Sequence, residues 1–325
     1  MDENKSSTDR KLPFSGWWAL FAGVLAGVGL RLVFSGEPGG AYAAMSAAFI
    51  YLSPVIVGSV TVYVAERRQR RSWGYYFWAA FFANILYVLG TLLVMIEGLI
   101  CGVVIAPLFA VLGGLGGLIM GAVCRVTNWP RRALYGIAAL PLMLGAAETE
   151  LPLPQRIASV ERALLVNAPP ERVWRELLNA ENIRPDEIEH AWLFRIGVPL
   201  VLRGVTQHEG GELTRRVTMG KSIYFDQVAA EWNPNRSVRW VYRFHADSFP
   251  AYALDEHVVI GGHYFDLRET AYTLTPHGTA TELKVRMQYR LSTRFNWYAE
   301  PVARALFGNL EEINLEYYRR RSEGP

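Results

Sequence analysis

The chain has two cysteines in 325 residues, Cys101 and Cys124, and both lie in apolar segments. From residue 155 onward there is none, which excludes a disulfide framework in that part. A glycine-rich phosphate loop, a nucleophile-elbow serine, a paired-cysteine metal motif and a dinucleotide fingerprint are also missing. No cofactor is therefore expected. The net charge is only +3, and the arginines cluster in short loops rather than along one helix face. That pattern excludes nucleic acid as a natural partner. No small-residue cleavage site follows the first apolar run, so this run reads as a membrane anchor rather than a removed signal.

What is present is unevenly spread. The chain is 51% hydrophobic and 19% charged, but residues 17–147 are mostly apolar and the rest has the balance of a soluble domain. Four apolar runs, 17–34, 42–65, 73–96 and 99–124, are long enough to cross about 30 Å of hydrocarbon. A fifth, 133–147, is short and contains Pro141. The expectation is an all-α bundle of about five helices, joined by a linker over 148–158 that Pro152 and Pro154 keep extended. Trp17, Trp18, Trp73, Tyr75, Tyr76 and Trp129 sit near run ends, as interfacial aromatics do.

The basic loops set an orientation. Lys5, Arg10 and Lys11 lie in the polar tail 1–16. Arg67, Arg68, Arg70 and Arg71 fill one loop, and Arg125, Arg131 and Arg132 another. Glu37, Glu97, Glu148 and Glu150 mark the opposite loops. Arginines inside give one five-span topology with a cytoplasmic amino terminus. In a bacterial inner membrane the soluble domain then stands in the periplasm. If the fifth run only lies in the interface, the domain is cytoplasmic. Gly113, Gly114, Gly116 and Gly117 read as a close helix contact. Arg31 reads as a snorkelling side chain.

The soluble part pivots on Ala168-Pro169-Pro170 with Val173-Trp174, a strand end, a corner and a helix start. A strand is expected over 159–166, helices over 170–178 and 186–196, and strands over 202–208, 213–219, 223–232, 238–245, 257–275 and 280–291. The 257–275 run is broken at Gly261-Gly262. A closing helix over 295–320 carries one stripe: Phe295, Ala299, Val302, Ala303, Leu306, Leu310, Ile313 and Tyr317. Glu300, Arg304, Glu311, Glu312, Glu316 and Arg319 take its other faces.

These residues carry a resemblance. Ala168-Pro169-Pro170 with Val173-Trp174, Glu231-Trp232-Asn233-Pro234, and Tyr272-Thr273-Leu274-Thr275-Pro276 before Gly278-Thr279 resemble the SRPBCC superfamily. That superfamily includes START lipid-transfer domains and polyketide cyclase/dehydrase-like proteins. The resemblance covers 159–322, about half the chain. It implies an α+β helix-grip fold, an antiparallel sheet around a long final helix. It also implies a hydrophobic ligand between the two, without implying an enzyme.

On this reading Trp240, Tyr242, Phe244, Tyr264, Met287 and Tyr289, with Leu306 and Leu310 on the helix, line the ligand or fill an ordinary core. His263 and Asp266, beside the glycine pair, are candidates for a general acid or base if the domain turns a substrate over. The bland alternative there is a bend in the sheet. His257 and His263 nominally share a strand face, yet the nearby Asp255, Glu256 and Asp266 do not make a metal site that can be assigned. Glu187 and His190 belong to an acidic helix start, and Arg216 and Glu231 read as surface strand charges. The expected partners are the lipid bilayer and a hydrophobic small molecule. An apolar-ligand binding protein, a cyclase or dehydrase-like enzyme, and a non-catalytic assembly module all remain compatible with the residues.

Overall fold

In a computed structural model, residues 17–127, 131–148, 152–209, 211–251 and 253–324 are described. The basic tail with Lys5, Arg10 and Lys11 lies outside them, as do Trp129, Glu150 and the side chains of Arg131, Arg132 and Glu256. The chain divides into two compact units. One holds residues up to 96 and 105–151; the other holds 97–104 and everything from 152.

The first unit is helical: α1 (Trp17–Val33), α2 (Ser53–Glu66), α3 (Trp73–Leu93), α4 (Leu99–Thr127) and α5 (Arg131–Ala147). A π-turn, Ala48–Leu52, leads into α2. Three helices are long and apolar enough to cross a membrane: Ala48–Glu66, Trp73–Leu93 and Leu99–Thr127. This corrects the expectation of five spans. With 17 residues, α1 reaches only about 25 Å, because the chain leaves the helix at Phe34 and turns back through a bridge between Gly36 and Ala43. The apolar part of α5, Leu134–Ala147, is shorter still.

Small residues bring α2 and α4 together. A Cβ on Gly58 would stand 2.0 Å from the Gly113 carbonyl oxygen, and one on Gly116 would stand 2.4 Å from that of Val55. Ser59 donates to the Gly116 carbonyl at 3.3 Å, and Asn84 of α3 to that of Pro54 at 3.3 Å. Arg31 folds back to donate to the Phe34 carbonyl at 2.8 Å, so it finishes its own helix. Glu66 is 2% exposed, and its Oε1 accepts from the Tyr76 hydroxyl and the Arg71 amide, both at 2.7 Å. Arg125 donates to the same hydroxyl and to the Arg71 carbonyl.

The second unit is a seven-stranded antiparallel sheet in the order β1-β7-β6-β5-β4-β3-β2. The strands are β1 (Gln155–Val166), β2 (Val201–Glu209), β3 (Glu212–Met219), β4 (Tyr224–Asn233), β5 (Ser237–Arg243), β6 (Phe265–His277) and β7 (Ala280–Ser292). Between β1 and β2 lie α6 (Pro170–Leu178), α7 (Pro185–Ile188) and α8 (Trp192–Arg195); α9 (Asn296–Glu323) follows β7. This is the helix-grip arrangement. Pro170 opens α6, and Val173, Trp174 and Leu177 bury its inner face. The strand β1 starts at Gln155, so the linker is shorter than expected. The helix expected over 186–196 is two single turns, since Glu189 and His190 separate α7 from α8.

The edge strand β2 does not stand bare. Gly204 exchanges both backbone hydrogen bonds with Ala180, at 2.8 and 2.9 Å, and Leu202 accepts from Ile183. Asn179 accepts from the Thr206 amide. The segment after α6 thus acts as a short extra strand.

Two further corrections concern the site. The strand expected from 257 begins at Phe265; Glu256–Val258 is a 3₁₀ turn, and Gly261 adopts a φ of +76° that few residues other than glycine accept. His257 and His263 therefore share no strand face. The buried seam of α9 is Phe307, Gly308, Leu310, Glu311, Leu315, Tyr317, Tyr318 and Ser322. Its centre is rotated from the expected stripe: Leu306 and Ile313 lie at its margin, and Glu311 is inside.

Candidate functional site

The alternation of β-strands decides which side chains face α9. On β3, Leu213, Arg215, Val217 and Met219 are buried. On β5 these are Val238 and Trp240; on β7 they are Leu283, Val285, Met287, Tyr289 and Leu291. Three apolar clusters share this interior. Trp240 packs with Trp174, Leu177, Tyr272, Leu315 and Tyr318. Met287, Tyr289 and Leu310 pack with Val160 and Phe307. Tyr242 and Phe244 pack, half-buried, on a cluster of Val217, Ile223 and Phe225. Tyr264 is buried against the rings of His257 and His263, and Leu306 is half-buried. The eight expected lining residues are thus spread along the interior rather than gathered at one point.

Polar groups interrupt this apolar wall, and several lack partners. Among the described residues, Trp240 Nε1, the Tyr289 hydroxyl, Gln227 Oε1, Arg215 Nε and Glu311 Oε2 are buried with no hydrogen bond. Buried polar atoms are bonded in the great majority of cases. Glu311 is 0% exposed; its Oε1 accepts from the Met287 amide at 2.9 Å. Burial pushes its carboxyl up to about 8, against the pull of that amide. That shift favours the neutral acid. Tyr242 and Thr270 share a 2.6 Å hydrogen bond between hydroxyls, and burial raises the Tyr242 phenol. Burial raises Tyr272 as well, and takes Tyr317 to about 12.

His263 is exposed at the turn before β6, and its carbonyl accepts from Arg290. Asp266 lies between the inward Phe265 and Leu267 and is 3.5 Å from Arg268. Asp266 bears on the interior polar set only through its charge, which adds to burial in raising the Tyr242 phenol. Arg216 and Glu231 are surface charges: Arg216 pairs with Asp226 at 2.8 Å, and Glu231 with Arg239 at 2.6 Å. Asp226 also takes His245 at 2.8 Å; the hydrogen bond from Arg216 leads in holding its carboxyl below the usual range. Glu187 is bonded to Arg321 and to the Arg184 amide. Among the described residues no three of His, Cys, Asp and Glu gather as a metal centre.

Sequence reasoning missed Arg215 and Glu311. The signal for Arg215 was in the alternation Leu213, Val217, Met219, which places it inward and Arg216 outward. For Glu311 the signal was its four-residue spacing from Phe307 and from Leu315.

No family model matches this chain, and no curated protein does. Solved structures resemble it over about half its length. TTHA0849 from Thermus thermophilus is 18% identical, covering 51% of this chain and 97% of its own, with a TM-score of 0.32. The ZhuI aromatase/cyclase from Streptomyces sp. R1128 is 16% identical over 52% and 94%, with a TM-score of 0.32. Norcoclaurine synthase from Thalictrum flavum is 11% identical over 52% and 94%, with a TM-score of 0.29. The helix-grip assignment rests instead on strand order and the closing helix.

Proposed function

We propose that this chain is a membrane-anchored binding protein for a lipid or other apolar small molecule, held between the sheet and α9. The carrying observation is the set of buried polar atoms without partners in an otherwise apolar interior. A ligand with a long apolar body and a few polar atoms meets both needs. Apolar burial contributes about 25 cal/mol per Å², and the polar atoms fix the orientation. The resemblance to the SRPBCC superfamily supports the same reading. The long apolar helices of the first unit supply the anchor, and with three spans the arginine-rich loops favour the cytoplasmic side for the second.

Native mass spectrometry of the full chain, released from detergent, tests this. A discrete bound mass that Met287→Trp abolishes is expected. A clean apo mass after incubation with lipid extract counts against it.

A second reading, a cyclase or dehydrase-like enzyme in the same interior, is favoured by Glu311. A neutral buried carboxyl with an unbonded oxygen can act as a general acid. It predicts turnover that Glu311→Gln abolishes while ligand binding persists.

A further inference from the structure

Arg215 is the least accounted-for group in the second unit. It is 6% exposed on the inner face of β3. One nitrogen, Nη2, donates to the Tyr318 hydroxyl at 3.1 Å, and Nε has no partner. Among the described residues it forms no ion pair. Burial opposes its charge, and the hydroxyls of Tyr318, Tyr272, Tyr317 and Tyr242 act on it. Burial raises the Tyr272 and Tyr317 phenols and so favours their neutral form. Gln227, which pairs with it across to β4, offers a neutral amide, and its Oε1 is likewise unbonded. Burial favours the uncharged form of Glu311 on α9.

A buried cation with no counter-ion is costly, and proteins ordinarily pair it or leave it in water. Room has been left for it here. The guanidinium lies over Gly204 of β2, where a Cβ would stand 2.5 Å from Nε and 2.7 Å from Nη2. A planar guanidinium fits a carboxylate better than most other groups, through two parallel N–H donors.

We propose that Arg215 anchors a carboxylate head on the apolar ligand of this interior, so that the ligand is an acidic amphiphile. This rests on the binding reading above. The carboxylate supplies the missing charge, while Trp174, Leu177, Trp240 and Leu315, which pack in the cluster around Tyr318, receive the apolar body.

The test uses the full chain in phosphatidylcholine nanodiscs, with empty nanodiscs as the blank. The probes are ¹³C-carboxyl dodecanoate and dodecanol. Wild type is expected to bind dodecanoate at least about tenfold tighter than dodecanol. The bound carboxyl should titrate at lower pH than the same probe in empty discs. Arg215→Met should weaken dodecanoate about 100-fold, abolish the titration shift and leave dodecanol unchanged. Arg215→Lys should recover part of both. The unfolding temperature of ligand-free Arg215→Met should not fall, because an unpaired charge has been removed. Gly204→Ala, which pushes the guanidinium without deleting it, should weaken dodecanoate about tenfold. If Arg215→Met and Gly204→Ala both bind dodecanoate like wild type, or wild type prefers dodecanol, the carboxylate anchor is overturned and the apolar-ligand reading stands. Binding of neither probe above the blank overturns both.

Discussion

Two buried glutamates separate the halves of this molecule. Glu66, at the end of α2, takes a hydroxyl and an amide at 2.7 Å on one oxygen, within a network that Arg125 completes. Glu311, on α9, takes one amide and keeps an oxygen without a partner. The first is a finished structural lock between helix ends. The second is an unfinished site. The same contrast holds for arginine: Arg125 is bonded and lies 4.6 Å from the centre of the Trp73 ring, whereas Arg215 has tyrosines and no anion. Burial alone does not mark function, and neither does one unused polar atom, since Ser53, Asn84 and Arg71 of the first unit carry such atoms too. In the second unit two ionisable side chains with such atoms, Arg215 and Glu311, face one apolar interior.

The largest effect tests whether the interior is packed core as well as site. Trp240 is fully buried, and Trp240→Ala should cost about 4 kcal/mol in chemical denaturation of the second unit. Next comes the lock. Glu66→Ala strands the Tyr76 hydroxyl and the Arg71 amide and should cost about 3 kcal/mol in thermal unfolding in detergent. Glu311→Ala should cost only about 1 kcal/mol, because it also removes an unbonded oxygen. Equal costs would erase the contrast.

The effect of pH is read on a separate axis. The Glu311 carboxyl has an ordinary value of 4.5 and a folded value of about 8. The unfolded chain loses this proton first as pH rises. Stability should therefore decline from about pH 4.5 to about pH 8 and then level off, read as unfolding temperature against pH. Glu311→Gln should flatten this slope. The smallest change is Trp240→Phe, which keeps an aromatic ring and removes the unbonded N–H. Its cost should stay within about 1 kcal/mol, well below that of the alanine variant, and bound-ligand mass spectra should reveal whether that N–H contacts the ligand.

Much of the fold was legible because strands with one buried face write it in every second residue. Trp240 and Tyr242, or Leu283, Val285, Met287 and Tyr289, follow from that alternation alone, whereas Phe244 lies just past the end of β5. The corner at Pro169-Pro170 was equally plain, since proline fixes backbone there. The site was harder to read, for one physical reason. Apolar periodicity finds what packs, whereas Arg215 and Glu311 are polar residues at apolar positions. The seam of α9 keeps Leu310 and Tyr317 but turns toward Gly308 and Glu311, which carry none of the apolarity that marks a stripe. His257 and His263 seemed to share a strand because the glycine pair between them was read as a bend, whereas β6 begins only after it. Five spans become three because α1 stops at 17 residues, one short of its apolar run, and the apolar part of α5 is shorter still.

The short pairing of Ala180 and Ile183 with β2 has a consequence for solution behaviour. A seven-stranded sheet exposes one row of free amides and carbonyls at each border, and such a row invites a second sheet. Here the β2 border is occupied from within the chain, by residues that follow directly from α6. Growth of the sheet from that side would first require peeling this segment away, so intermolecular strand addition there is opposed by the domain's own folding.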